Sequence, residues 1–121
     1  MSNPENTSFT PLLVACLCAQ WCGTCNEYAP LFERLQGEFA GATFRWIDIE
    51  DEADLVDPIE VENFPTILIA TGGQARFFGT VTPHLETLRR LIQSHLGNTG
   101  PSRLPPEVQA ITQRISLQQA A

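Results

Sequence analysis

Two cysteines separated by two residues are the part of this sequence best suited to chemistry. Cys22 and Cys25 enclose Gly23 and Thr24, and Trp21 precedes them. An apolar run ends shortly before the motif and a segment with helical periodicity follows it, so we expect the first thiol at a helix N-terminus. Unpaired backbone N–H groups and the macrodipole favour a thiolate there, and a thiolate attacks disulfides. A second thiol one turn later can resolve the mixed disulfide, so the motif predicts a dithiol–disulfide redox centre.

The same motif has two less specific interpretations. A C-x-x-C pair can supply half of a zinc site, which needs two further ligands at suitable spacing. The other cysteines, Cys16 and Cys18, lie in a predicted strand, and His84 and His95 are far away in the sequence. We therefore expect neither a metal nor a bound organic cofactor. The motif alone does not prove turnover, so an inert C-x-x-C stays an alternative.

A strand and a helix must position the two thiols. Residues 12–19 are a continuous apolar run, which is typical of a central strand covered on both faces. Residues 23–39 carry apolar side chains at the spacing of a buried helical stripe. Pro30 lies inside this helix and should kink it, because proline removes a backbone donor. Residues 43–49 predict a second strand, and a parallel pairing would make the crossover right-handed.

A hairpin and another helix are predicted further along the chain. Residues 50–57 are acidic and indicate a loop with a short helix. Residues 66–70 and 75–78 predict two strands joined by a glycine turn. Thr82 is followed by proline, and this pair predicts a helix start with an N-cap residue and proline at the first helical position.

The last part of the chain predicts an additional helix. Val108, Ile111 and Ile115 share one helical stripe, but an isolated helix this short is marginal in water. We expect it to dock onto the domain, with partner binding or fraying as alternatives. The predicted organisation has four parts: a flexible N-terminus at residues 1–10, a domain at 11–97, a linker at 98–106 and a C-terminal helix at 107–121.

Composition and charge exclude several classes of protein. The 121 residues fit one domain whose core needs no disulfide staples. A formal net charge of −7 argues against nucleic-acid binding and against adsorption to an anionic membrane. No apolar stretch approaches the roughly 20 residues of a membrane span, and residues 1–11 lack the pattern of a secretory signal. We therefore expect a cytoplasmic monomer, in a compartment where C-x-x-C is more often catalytic than structural.

The order of these elements and three short segments resemble the thioredoxin family. The resemblance covers about residues 11–96 and depends on residues 19–25, on Pro30, and on Phe64 and Pro65 followed by threonine. It implies an α/β, thioredoxin-like three-layer fold with a mixed central sheet flanked by helices. In the family the proline of the last motif follows a cis peptide bond and faces the disulfide, and this role would fall to Pro65. The backbone before Pro65 would then pair with an extended substrate segment.

The same resemblance implies a thiol–disulfide oxidoreductase that acts on protein disulfides and serves cell redox homeostasis. Cys22 would be the attacking thiolate and Cys25 the resolving thiol. The substrate-binding surface would comprise Trp21, Gly23, Thr24, Phe64 and Pro65. Thioredoxin reductase or a glutathione-linked system would recycle the protein.

Departures from the family pattern keep a second class of function open. Fuller family members begin with an additional strand and helix, which we expect to be absent or vestigial here. The usual buried acid, six residues before the attacking cysteine, is replaced by Cys16, and a nearby lysine by Trp46. Without the acid, Cys25 would lose its proton more slowly, and Thr24 replaces a usual proline. The alternative is a thioredoxin-like binding or chaperone-type module, or a redox sensor without turnover.

Cys16 and Cys18 point to the same face of the predicted strand. Their Cα atoms would lie about 6.5–7 Å apart, at the edge of the distance that a disulfide spans. We therefore interpret both as small buried apolar residues rather than as a bonded pair. The alternative is that Cys18 lies close enough to the redox centre to form alternative disulfides.

Overall fold

In the part of the chain that the structure describes, eight segments of regular structure follow the hydrophobic pattern of the sequence. The computed structural model describes residues 12–57, 59, 61–96 and 102–120, so the predicted flexible N-terminus (1–10) and part of the predicted linker (98–101) lie outside it. The segments are β1 (Leu12–Cys18), α1 (Gly23–Glu38), β2 (Thr43–Asp48), α2 (Ala53–Val56), β3 (Thr66–Thr71), β4 (Gln74–Thr80), α3 (Leu85–His95) and α4 (Pro106–Ala120). Helix α1 continues through Pro30 as one helix.

The sheet is mixed and has the strand order β2-β1-β3-β4. β1 pairs in parallel with β2 and antiparallel with β3, and β3 and β4 form an antiparallel hairpin. Every residue of β1 and of β3 is buried, because helices cover both faces of these two central strands. This burial explains why both strands are continuous apolar runs in the sequence. The mixed sheet flanked by helices confirms the expected fold class.

Alternate residues of β1 face two different layers of helices. Val14, Cys16 and Cys18 pack with buried residues of α1 and α3, and we call this side of the sheet the α1 face. Leu13, Ala15 and Leu17 pack with buried residues of α2 and α4, and we call this side the α4 face. One strand therefore contributes to both halves of the core, as the two-residue period of a strand requires.

Helix α4 packs onto the sheet. Val108, Ile111 and Ile115 are buried on the α4 face. The backbone N–H of Ala75 at the start of β4 donates to Oε1 of Gln109 at 3.1 Å. The predicted apolar stripe is thus the buried side of the helix, and the helix docks as expected.

A single cation joins helix α4 to the short helix α2. Nη1 of Arg114 donates to the backbone carbonyl oxygens of Asp54, Leu55 and Asp57. The last carbonyl groups of a helix have no partner within the helix, and a nearby cation stabilises them.

None of the helices in the described ranges has the length and apolar content needed to cross a membrane.

Helix α3 begins later than the sequence suggests. The predicted N-cap was Thr82, with Pro83 at the first helical position, but His84 is the N-cap and Leu85 begins the helix. The N–H of His84 donates to the carbonyl oxygen of Thr82 at 2.8 Å, so Pro83 lies at the centre of a three-residue turn. The hydroxyl of Thr82 contacts the hydroxyl of Thr87 at 3.0 Å. The predicted start was wrong because the proline forms this turn before the helix.

Candidate active site

Cys22 lies at the junction between β1 and α1. It is the N-cap residue of α1, with φ −88° and ψ 118°. Its N–H donates to the carbonyl oxygen of Ala19 at 3.0 Å, and its own carbonyl oxygen accepts from the N–H of Asn26 at 3.1 Å. The turn before the helix and the first helical turn therefore both hold its backbone in place.

The side chain of Cys22 differs from those of the other cysteines in its exposure. Cys16, Cys18 and Cys25 expose 0%, 1% and 1% of their surface, whereas Cys22 is partly exposed. No side chain caps the N-terminus of α1, so the thiol lies where the helix favours a negative charge. Among the four cysteines of the chain, Cys22 is the one that a protein substrate can reach.

Cys25 is bonded to Cys18 rather than to Cys22. The Cα atoms of Cys18 and Cys25 lie 5.8 Å apart, within the usual range for a disulfide. Cys18 ends β1 and Cys25 lies in the first turn of α1, so the bond joins strand and helix across the bend that carries Cys22. The thiol of Cys22 is free.

This pairing corrects one of the expectations from the sequence. The interpretation of Cys18 as no more than a small buried apolar residue is wrong, because its sulfur forms a disulfide. The alternative, in which Cys18 is close enough to the redox centre for alternative disulfides, describes the structure. The C-x-x-C spacing predicts Cys22 as the partner of Cys25, because Cys22 is nearer to Cys25 along the chain.

Cys16 occupies the position at which the resemblance to the thioredoxin family implies a buried acid. Its sulfur lies 3.7 Å from that of Cys18, and burial raises the pKa of the Cys16 thiol. Trp46 pairs with Cys16 across β1 and β2. The α1 face therefore presents an uncharged thiol beside the disulfide where a carboxylate is usual. The residues Cys16, Cys18 and Cys25 form a continuous buried sulfur cluster.

An aromatic pair, the exposed Trp21 and the partly buried Phe64, lies beside Cys22. Trp21 exposes 66% of its surface, and its ring meets that of Phe64 edge to face, with centroids 5.6 Å apart. The indole Nε1 of Trp21 donates to Oε2 of Glu50 at 2.9 Å, which fixes the ring. Cys22 and Phe64 pack against the same buried cluster. An apolar surface suited to docking therefore adjoins the free thiol.

The remaining predicted site residues belong to the segments that carry Cys22 and Phe64. Gly23 and Thr24 are exposed in the first turn of α1. Pro65 is buried before β3, and the peptide bond between Phe64 and Pro65 is cis. The carbonyl oxygen of Pro65 accepts from the N–H of Val81 at 3.1 Å, which holds this segment against the end of β4.

One residue of the site, Glu50, has no chemical role in the sequence-based interpretation. The sequence places it in an acidic loop, but its carboxylate accepts a hydrogen bond from the indole of Trp21. The signal that could have found it is topological: β1 and β2 are parallel, and Cys18 pairs with Asp48. The loops that follow the two strands therefore meet at one edge of the sheet.

A metal centre finds no support in the described ranges. In this part of the chain no group of three or more His, Cys, Asp or Glu side chains could hold a metal ion. The zinc interpretation of the C-x-x-C motif needs such a group.

Comparisons with known proteins identify the family and support the fold of this chain. The sequence model of the family described as Thioredoxin matches residues 6–94. Thioredoxin H2-1 of Oryza sativa subsp. japonica is 30% identical over 92 residues, covering 74% of this chain and 67% of its own. Thioredoxin of Sus scrofa is 31% identical over 90 residues, covering 72% and 86%. The X-ray structure of Fasciola hepatica thioredoxin superimposes with a TM-score of 0.65 at 27% identity, covering 74% and 86%.

The chain belongs to the thioredoxin family. Its relatives and the Cys18–Cys25 disulfide support thiol–disulfide oxidoreductase activity in general. The length of the match varies among relatives, and the chain spans 61% of Thioredoxin-2 from Saccharomyces cerevisiae.

Proposed function

We propose that this protein is a thiol–disulfide oxidoreductase that reduces protein disulfides, with Cys22 as the attacking thiolate and Cys25 as the resolving thiol. The observation that carries the proposal is the placement of Cys22. It is the accessible cysteine, it is the N-cap residue of α1, and Cys25 follows in the first turn. A nucleophilic thiolate needs both access and a stabilising environment.

The reaction proceeds in two exchanges. The Cys22 thiolate attacks one sulfur of a substrate disulfide, forms a mixed disulfide, and releases the other substrate sulfur as a thiolate. The Cys25 thiol then attacks the sulfur of Cys22 and releases the substrate with both of its thiols reduced. Two electrons pass to the substrate and a Cys22–Cys25 disulfide remains. The second exchange requires Cys25 to be free of Cys18, so a reducing system must first open the Cys18–Cys25 bond.

The surface next to Cys22 favours a substrate segment with an apolar side chain beside its disulfide. Trp21 and Phe64 supply exposed apolar area, and Glu50 holds the indole in place. Gly23 and Thr24 would border the segment on the helix side and Pro65 on the strand side. Recycling by thioredoxin reductase or by a glutathione-linked system, in a reducing compartment such as the cytoplasm, completes the proposal.

Reduction of insulin disulfides, with dithiothreitol as the electron donor, tests the two assigned roles. We expect Cys22→Ser to abolish protein-dependent turnover. Reduced Cys25→Ser, mixed with insulin after the dithiothreitol has been removed, should accumulate a mixed disulfide with insulin. Cys16→Ala is the matched control, because it removes a buried thiol that takes no part in either exchange. Turnover that survives Cys22→Ser would refute the assignment.

One observation favours a binding module as a second candidate. In the structure the resolving thiol is engaged with a buried cysteine, so Cys22 has no free partner within the motif. A binding module needs no turnover. If Cys25→Ser holds a client protein through a mixed disulfide with Cys22, the double variant Cys22→Ser with Cys25→Ser should lose that client. If the protein is a binding module, the double variant should retain it.

A further inference from the structure

Three cysteines, not two, meet where β1 turns into α1. Cys25 has two possible partners: Cys18, to which it is bonded, and Cys22, which precedes it by three residues at the helix N-cap. Cys18 and Cys25 are both 1% exposed, whereas Cys22 is accessible. The position of a single disulfide within this trio decides whether an exposed thiol is present.

We propose that Cys18 is a third catalytic thiol, which attacks Cys25 in the Cys22–Cys25 disulfide and releases Cys22. The inference rests on the proposed function, because turnover is what forms the Cys22–Cys25 bond. The bond between Cys22 and Cys25 breaks, the bond between Cys18 and Cys25 forms, and the proton of the Cys18 thiol ends on Cys22. The exchange conserves electrons and needs no external oxidant or reductant.

The geometry favours Cys18 over Cys16, the other buried thiol on this strand, for this step. Cys18 is the last residue of β1 and faces the first turn of α1, so its Cα lies 5.8 Å from that of Cys25. Cys16 lies further back along the strand and contacts Cys18, at a sulfur–sulfur distance of 3.7 Å.

The product of the exchange has a different activity from that of the dithiol. Cys22 is again a free nucleophile, while Cys25 can no longer resolve a mixed disulfide. A mixed disulfide on Cys22 is then released by another thiol of the substrate, which attacks the substrate sulfur and restores Cys22. One substrate disulfide is opened and another is formed, with no net electron transfer. The Cys18–Cys25 form therefore rearranges the disulfides of a substrate, because the attack by Cys22 itself frees the substrate thiol that starts the exchange.

A labelling experiment locates the disulfide. Reduced protein is oxidised with one equivalent of diamide, pulsed briefly with iodoacetamide under native conditions, and weighed intact. If Cys18 has displaced Cys22, the accessible Cys22 takes one label. If the bond joins Cys22 to Cys25, both free thiols are buried and the pulse adds none. We expect one label on the parent protein and on Cys16→Ala, and loss of that label on Cys18→Ala.

The matched pair makes the result specific. Cys16→Ala and Cys18→Ala each remove one buried thiol from the same face of β1. A parent protein that takes no label, or equal labelling of both variants, would overturn the proposal. A Cys22→Ala variant gives a second readout: oxidation should still remove two thiols from it, but none from Cys22→Ala with Cys18→Ala. Retention of all thiols in Cys22→Ala would also contradict the inference.

Rearrangement is tested on scrambled ribonuclease without added reductant. The one-disulfide forms of the parent and of Cys16→Ala should restore ribonuclease activity, and that of Cys18→Ala should not. Insulin reduction separates this failure from failure of the proposed function. If Cys18→Ala reduces insulin but the parent does not rearrange ribonuclease, only the role of Cys18 is rejected. If the parent neither reduces insulin nor rearranges ribonuclease, or if diamide forms no disulfide in it, the oxidoreductase itself is rejected.

Discussion

Replacing Ile111 with alanine tests whether helix α4 is an integral part of the core. Ile111 is 0% exposed and lies on the α4 face with Leu68 and Ala70 of β3. Alanine removes apolar contacts and leaves a cavity beneath the helix, which costs about 2–5 kcal/mol for a buried isoleucine. Alanine has the higher helix propensity, so a loss of stability reports packing rather than a weaker helix.

The expected effect on thermal unfolding is large. For a middle value of about 3 kcal/mol and an unfolding entropy of about 0.25 kcal/mol/K for 121 residues, the melting temperature falls by about 12 °C. Differential scanning calorimetry measures this shift directly. Urea unfolding should show a lower midpoint with an unchanged slope, because the surface exposed on unfolding changes little.

Leu117 is the matched control on the same helix. It exposes 71% of its surface, so Leu117→Ala should change the stability by less than about 0.5 kcal/mol, or about 2 °C. If Ile111→Ala melted as close to the parent as Leu117→Ala does, helix α4 would not be packed against the sheet in solution. The argument for docking would then be refuted.

Other perturbations have equally definite outcomes. Trp21→Ala should raise KM for insulin more than it lowers kcat, because it removes the indole ring on which a substrate docks. Glu50→Gln should have the same effect but more weakly, because it only weakens the hydrogen bond that holds the indole. Desolvation, followed by the charge of Arg76, lowers the pKa of His95, so the folded state favours neutral imidazole. The neutral imidazole therefore stabilises the folded state above pH about 6.5, and this stabilisation is lost as the pH falls below that value. His95→Gln should narrow the difference between the urea midpoints at pH 7.5 and pH 5.5. An unchanged difference would contradict this expectation. Arg114→Met keeps the apolar stem but loses the donors to three carbonyl groups, and should lower the free energy of unfolding by about 1 kcal/mol in urea titration.

Much of the fold was predictable because the relevant signals are local. The continuous apolar run at 12–19 indicated a strand covered on both faces, and Leu12–Cys18 is that strand. The stripe of Val108, Ile111 and Ile115 indicated the buried side of a helix. Each signal depends only on residues a few positions apart, so no knowledge of the fold was needed. The start of α3 was misplaced because proline suits both the first turn of a helix and a tight turn before it.

The site was less predictable because its decisive contacts join separate elements. Cys18 and Cys25 are seven residues apart, but the chain reverses between them. Their proximity follows from the angle at which β1 leads into α1, which spacing along the chain does not encode. The hydrogen bond between Trp21 and Glu50 likewise depends on the parallel pairing of β1 with β2. Sequence spacing therefore indicated Cys22 and Cys25 as candidates, but it did not establish the bond between Cys18 and Cys25 or the anchor of the indole.

The replacement of the expected acid by Cys16 changes how protons can move among the buried sulfur atoms. A carboxyl group at this position could accept a proton from a neighbouring thiol by general base action. The Cys16 thiol lies 3.7 Å from the sulfur of Cys18, and burial raises its pKa, so it stays protonated and cannot take that role. Loss of the proton from Cys25 therefore needs a different acceptor, which agrees with the slower deprotonation that the sequence predicts.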